Sequence, residues 1–434
     1  YFHRLSLTGL SANVLATPVI TMAIPAGYVA ILTGWGWAAG MAAWLLDAGT
    51  WIVARHGELE PYWRMPDPPI WLSFALAAGT AGLVAGIFII GTCAGRLIAG
   101  YVIAEKGSKK ILYTGTLTFI ITSAFYLVSF NLPILIITRL INGFTLGIAT
   151  TATGTIVAQI IPHSRRGEGI GYYSLSAILA TALGPFAGLL LSRYFGFTVI
   201  FIFDLILAGV CFGLAVIVNE PVQPLKRKEE RGSSLKFSNF FELRAIPVSI
   251  VAFIISFCFS GVLAFMSLYA QQNRLTEYAS FFFLIYAVTV LLSRPYSGKM
   301  LDIKGANKVM YPCLLIFAAG MILLSNAATG FILLISGVII GIGYGNAQSC
   351  AQAVSVKVVP AERLGLATST YFILYDFGLG AGPFILGYLI PLTGLRGLYL
   401  IMALVVLASI ALYYYLHGRK VSLAHTEINF SSCK

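Results

Sequence analysis

Residues 298–308 read GKMLDIKGANK, and an unbroken offset of 198 residues sets GYVIAEKGSKK, residues 100–110, beside them. Each stretch is a short polar joint between two long apolar runs. Gly298 and Gly305, matched by Gly100 and Gly107, allow a tight turn and close helix approach. Lys106 and Lys110, like Lys304 and Lys308, hold the joint in water. The acids differ. Asp302 stands where it can accept hydrogen bonds from a neighbouring helix N-terminus. The first copy has Ala104 at that place and its acid one residue later, Glu105.

Outward from the joints, the same offset pairs Arg96 with Arg294, Gly143 with Gly341, Gly147 with Gly345 and Pro162 with Pro360. It also pairs Arg165 with Arg363, Gly184 with Gly382 and Pro185 with Pro383. Shared leucines would mean little in a chain that is 58% hydrophobic, but shared Gly, Pro and Arg at matching helix ends identify an internal repeat. With both joints on one side of the membrane, the repeat is parallel and its axis runs along the membrane normal.

Composition sets the class. Only 10% of the 434 residues are charged and the mean hydropathy is +0.87, whereas soluble domains carry roughly 25% charge. This excludes a soluble enzyme, a disordered chain and a secreted disulfide scaffold. A helical span needs about 20 apolar residues, and such segments are predicted at 5–33, 34–54, 70–99, 111–130, 132–160, 169–192 and 196–218. After a polar stretch they resume at 246–270, 276–298, 308–328, 330–356, 366–391 and 394–416. Long continuous runs of this kind are not the alternating strands of a β-barrel. The six cysteines lie far apart without metal spacing, so neither a disulfide framework nor a metal site is expected. No cofactor is expected either. The chain opens on Tyr1 without a basic n-region or cleavage site, and no signal peptide is predicted.

The net charge of +12 follows a membrane pattern. Loops 105–110, 163–168, 219–245, 299–308, 357–363 and the C-terminal tail hold 19 of the 28 Lys and Arg, so this face is expected to be cytoplasmic. The run Lys226-Arg227-Lys228 then faces anionic headgroups rather than nucleic acid. The expected organisation is an atypical N-terminal membrane segment (1–75), a first half (76–218), a cytoplasmic linker (219–245), a second half (246–420) and a cytoplasmic tail (421–434).

These motifs resemble those of the major facilitator superfamily over about residues 78–420. The joint at 298–308 is similar to the family's loop motif, and Arg139-x-x-Asn142-Gly143-x-x-x-Gly147 to its fourth-helix motif. Gly184-Pro185-x-x-Gly188 resembles the fifth-helix signature of proton-coupled exporters, with Ala180 where another Gly is usual. The resemblance implies an all-α polytopic membrane protein with the major facilitator fold, two six-helix halves related by a parallel repeat. The implied function is secondary active export of a small amphipathic molecule (drug, metabolite or metallophore) in exchange for protons. It further implies a monomer in the bacterial inner (plasma) membrane whose partners are substrate, protons and lipid.

The front departs from that pattern. The repeat places a first helix at 51–74, reading WIVARHGELEPYWRMPDPPIWLSF. Each charge there would cost about 2.5–3.5 kcal/mol at a helix centre, and the prolines break the helix. The first helix is therefore atypical or replaced. Residues 2–32, with the HRLSLTGLSAN start and Pro25-Ala26-Gly27, and the turn MPDPPIW at 65–71, resemble the membrane part of a ComEC-type DNA-uptake channel. This implies a chain joined from two families near 72–80, and with it the alternative of a fusion that transports nothing. No P-loop or nucleophile constellation occurs, so no enzyme is expected.

Three acids fall inside apolar runs: Asp47, Asp204 and Asp376. Intramembrane acids are functional candidates. Asp204 and Arg139 lie at similar depth and are expected to pair, directly or through water, either as a proton switch or as a permanent ion pair. Asp376, among Gly378, Gly380 and Gly382, is either a second protonation site or an acid bonded to backbone. Arg96 and Arg294 either snorkel or form gating bridges. Asn142, Thr145, Gln159, Phe257, Phe259, Asn346, Gln348 and Gln352 offer polar and aromatic groups to a substrate, or else serve helix–helix contacts.

Overall fold

The structure, a computed structural model, describes residues 43–44, 47–48, 70–128, 131–218 and 239–419. The expected segment 5–33, most of 34–54 and of 51–74, most of the 219–245 linker and the 421–434 tail lie outside the described residues. The chain divides into two compact units, Tyr1–Ala81 and Gly82–Lys434, and the helices that carry the site belong to the second.

The first half comprises α1 (Ile70–Lys106), α2 (Ser108–Ala124), α3 (Leu132–Ile160), α4 (Arg166–Phe195) and α5 (Phe197–Ile217). The second comprises α6 (Ile246–Gln272), α7 (Thr276–Lys304), α8 (Ala306–Ser325), α9 (Gly330–Ile340), a π turn (Gly341–Gly345), α10 (Asn346–Lys357) and α11 (Leu364–Tyr413). α11 breaks at Gly394, φ 66°, between the two apolar runs expected there. Among the described residues nine stretches are long and apolar enough to cross a membrane. The first-half counterpart of α6 lies outside the described residues.

Local chemistry sets the helix ends. Asn131 caps α3 by accepting from the Ile134 N–H at 3.0 Å, with Pro133 in the first turn where it loses no bond. Thr329 caps α9 in the same way. Gly107 and Gly305 turn the chain with φ of 84° and 80°, a conformation that a Cβ would strain. Pro162 and Pro360 each begin a 3-10 turn, His163–Arg165 and Ala361–Arg363. The repeat therefore extends to the turns.

The repeat also holds in the packing. Gly143 and Gly147 of α3 lie directly against the carbonyls of Phe88 and Thr92 on α1. One offset later, Gly341 and Gly345 lie against Tyr286 and Val290 on α7. A side chain at any of these glycines would strike the neighbouring helix. The outer surface is apolar, as a lipid-facing surface should be: Ile206, Val210, Leu214 and Ile217 on α5 are all more than half exposed. Smaller and polar groups turn inward, including Thr151, Thr155, Ser256 and Ser369.

Candidate functional site

On the basic face the two halves meet through the joint at 298–308. Asp302 accepts the backbone N–H of Gly167 at 2.8 Å and of Glu168 at 2.9 Å, at the N-terminus of α4. Lys357 at the end of α10 donates to the same carboxylate at 2.5 Å. A carboxylate at a helix N-terminus also meets the positive end of the helix dipole. Gly298 lets the backbone of Glu168 come close, and Arg166 donates to the Val356 carbonyl at 3.3 Å. The equivalent contact of the first joint carries no carboxylate among the described residues. Gly100 packs on Ser369, and Ile103 packs on Gly365. Ala104 brings no carboxylate, and among the described residues no hydrogen bond or ion pair places Glu105 at the N-terminus of α11. Lys357 escaped the sequence reading, although it is the lone cation of the run 330–357.

Deeper in, Arg96 of α1 reaches across to Asp376 of α11. Its Nε and one terminal nitrogen stand 2.8 and 2.7 Å from one carboxylate oxygen. The guanidinium lies 4.4 Å over the Phe372 ring, and Ser369 donates to the Arg96 carbonyl at 2.7 Å. Arg96 therefore does not snorkel, and Asp376 is ion-paired rather than bonded to backbone. Arg294 does not snorkel either. It is 1% exposed, and all three of its nitrogens lack an acceptor among the described residues.

The expected direct pair of Arg139 and Asp204 does not form. Arg139 lies 5.8 Å from the ring centres of Phe88 and Tyr126, with its Nε buried and unbonded. Tyr126 feels both charges and stacks on Phe201 at 5.4 Å, so the end of the second helix is wedged between the third and the fifth. Equal depth places two groups at one level of the membrane, but it does not turn their helix faces together.

Several expected pocket groups hold helices together instead. Asn142 donates to Thr122 and Ser123 at 3.1 and 3.2 Å and accepts from Tyr126 at 3.3 Å, joining α2 to α3. Thr145 shares in this network through Thr122. Asn346 accepts from Ser297 at 2.7 Å and donates to Ser293 at 2.9 Å, joining α10 to α7. Gln159 accepts from Ser108. Gln348 and Gln352 are buried on one face of α10, and the Gln348 Oε1 finds no donor among the described residues. Phe257 is half-buried beside Phe253, and Phe259 stacks on Tyr344 at 3.9 Å.

A tyrosine cluster completes the interior of the second half. Tyr344 and Tyr375 share a hydrogen bond of 2.8 Å, Tyr371 donates to the Gln348 carbonyl at 2.8 Å, and Tyr286 stacks against Phe259. The signal in the sequence was Tyr371 and Tyr375 at i, i+4 within an apolar run. Gly382 fits tightly against Ser260 and the Phe257 carbonyl, with Pro383 following it inside α11. Gly184 faces open space, and Pro185 follows it inside α4. Glu242, within the 219–245 stretch, is 1% exposed and pairs with Arg363 at 2.7 Å. Its backbone N–H donates to Thr370 at 2.9 Å, so it pins the start of the second half to α11.

The model of the Major Facilitator Superfamily matches residues 62–287 and 275–429. A competence protein model matches residues 1–97, so sequence of two families meets in this chain, and the expected join near 72–80 falls within the overlap. The multidrug resistance protein MdtG of Escherichia fergusonii is 23% identical, over 76% of this chain and 82% of its own. The staphylopine export protein of Staphylococcus aureus is 22% identical, over 75% of this chain and 84% of its own. Among solved structures, the human organic anion transporter MFSD10 superposes with a TM-score of 0.67 at 17% identity, over 94% of this chain and 97% of that one.

Proposed function

Since the chain belongs to the Major Facilitator Superfamily, we propose that it exports a small amphipathic molecule in exchange for protons, as a monomer in the bacterial plasma membrane. It is a polytopic membrane transporter by family. Export and proton coupling are the further step. The relative named for staphylopine export supports the direction, and the one named for multidrug resistance supports a drug-like substrate.

The observation that carries the reading is the Arg96–Asp376 pair, which bridges α1 and α11 and so joins the two halves within the membrane. Protonation of Asp376 removes its charge and the attraction that holds the helices together there. Deprotonation restores both. Asp204 and Arg139, which flank Tyr126, are a second candidate site for proton movement in the first half. Half-buried Phe257 and the heads of Gln348 and Gln352 are the proposed substrate contacts.

The test uses three dansyl probes that share a fluorophore: anionic dansylglycine, cationic dansylcadaverine and neutral dansylamide. Full-length protein in proteoliposomes loaded with each probe is given an acidic exterior. At least one probe should leave with acidification of the interior, and Asp376→Asn should abolish the coupled flux. Coupled flux unchanged by Asp376→Asn overturns proton coupling at this pair. The competence-type match over residues 1–97 favours one competing reading, a joined chain that moves nothing. The absence of flux with all three probes would decide for it.

A further inference from the structure

Arg294 lies in α7 at 1% exposure, and its Nε and both terminal nitrogens find no acceptor among the described residues. A guanidinium is always charged and carries five N–H donors. Left buried and unpaired, it is among the most unfavourable groups a protein can hold. The repeat shows why the partner is missing. Its counterpart Arg96 rests on Phe372 and pairs with Asp376. One offset earlier, the corresponding residues of α4 are Ser174 and Ile178. Ile178 has no acceptor, and the Ser174 hydroxyl donates to its own helix at the Gly171 carbonyl, 3.0 Å away. Gly171 faces the Arg294 stem, where a Cβ would stand 3.9 Å from Cδ.

The surroundings of Arg294 suit an incoming anion. Its electrostatic neighbours are Tyr286, Tyr371, Tyr375 and Cys313, none of which is an anion at neutral pH. Tyr371 already donates to Gln348. Tyr375 and Tyr344 share one hydrogen bond between two hydroxyls, which leaves one hydroxyl proton free to donate. Tyr375 is half-buried and also feels Arg96 and Asp376, so it stands electrostatically between the unpaired arginine and the inter-half pair. Within the described spans of Gly82–Lys434, Arg96, Arg139 and Arg294 face only Asp204 and Asp376 as charged groups away from the helix ends. A cationic substrate would meet an excess positive charge and, in the second half, an acid already engaged.

Resting on the export reading above, we infer that the transported amphiphile is an organic anion, its carboxylate received by Arg294 with the Tyr375 hydroxyl as second donor. The planar guanidinium matches a carboxylate with two parallel N–H bonds. Loading thus supplies the missing partner of the repeat. An empty site leaves a charge uncompensated, and an occupied one closes the pair.

Binding is measured on the full-length protein in nanodiscs with the three dansyl probes. Dansylglycine should bind more tightly than dansylamide, and dansylcadaverine should bind weakest. Arg294→Gln should weaken dansylglycine about 10- to 100-fold, the range for one charge-assisted contact, while dansylamide is unaffected. Arg294→Lys should fall between, which keeps the test valid should the Gln variant fold poorly. Tyr375→Phe should give a smaller loss confined to the anion. Preference for dansylcadaverine, or unchanged dansylglycine affinity in both Arg294 variants, overturns the inference. Binding is read without flux, so the two proposals fail separately. Anion binding without transport sinks export and leaves this assignment standing, and coupled movement of dansylcadaverine alone does the reverse.

Discussion

Arg96 and Arg294 occupy equivalent positions in the two halves, yet only Arg96 has a carboxylate. That difference sets opposite expectations for the same substitution. Arg96→Met leaves Asp376 buried without its partner, and breaking a buried pair this way costs about 3–5 kcal/mol. The melting temperature should fall by several degrees, and Arg96→Met with Asp376→Leu should recover part of it. Arg294→Met removes an unpaired charge and keeps an apolar stem of similar length. The ligand-free protein should gain stability, by about 1–3 kcal/mol if the guanidinium is as poorly solvated as its three unbonded nitrogens indicate. Scanning fluorimetry in detergent checks both. A loss of stability in Arg294→Met would mean that the charge has a partner in the resting protein.

At the scale of the element, glycines set which helices can touch. A Cβ at Gly143 would run into the Phe88 carbonyl, whereas at Gly341 it would stand 3.0 Å from the Tyr286 carbonyl. Gly143→Ala should therefore cost more than Gly341→Ala, within the range of about 1–3 kcal/mol typical of overpacking. Gly382→Ala should also destabilise, because Ser260 and the Phe257 carbonyl already fill the space. Gly184→Ala meets nothing within 4 Å and should be neutral or slightly stabilising, since Ala is the better helix former. Thermal unfolding followed by size-exclusion chromatography ranks the four. Of the pair Gly184/Gly382 only Gly382 is in contact, whereas the seams at Gly143/Gly341 and Gly147/Gly345 were legible in the sequence because a glycine at a fixed offset marks a close helix contact in both halves there. The partners of the buried charges were not. Depth along a helix follows from counting residues, but the direction a side chain faces depends on tertiary packing. Arg139 and Asp204 share a level yet are separated by Tyr126, while Arg96 finds Asp376 from 280 positions away. Asn142 and Asn346 looked like pocket groups for a related reason: polarity inside an apolar run does not distinguish a cavity wall from a helix–helix contact. The π turn at Gly341–Gly345 has no periodicity of its own to announce it.

For the whole molecule, the proposed export requires the basic face to open, and its closure is unequal between the two halves. One side is held by Asp302, which engages two backbone N–H groups and Lys357. The symmetric side has Ala104 and is held by close packing of Gly100 on Ser369 and of Ile103 on Gly365, with the Ser369 hydroxyl donating to the Arg96 carbonyl. Of the two joints, only that of Asp302 thus closes through a carboxylate among the described residues. Asp302→Asn removes the charge while preserving the shape, and the loss of charge-assisted bonding amounts to about 2 kcal/mol. That shifts the closed-to-open ratio of the basic face by about 30-fold. Spin labels at Ser164 and Lys304, both exposed near this contact, should show a short distance in the parent protein and a substantial longer component in Asp302→Asn. Ala104→Asp should act in the opposite sense, because it places an acid against the N-terminus of α11 as Asp302 stands against α4. Combined with Asp302→Asn it should restore part of the short distance, and transport should slow in Ala104→Asp alone, where both sides of the face are held. A distance distribution indifferent to both substitutions would mean that closure rests on helix packing and that the joint is only a turn.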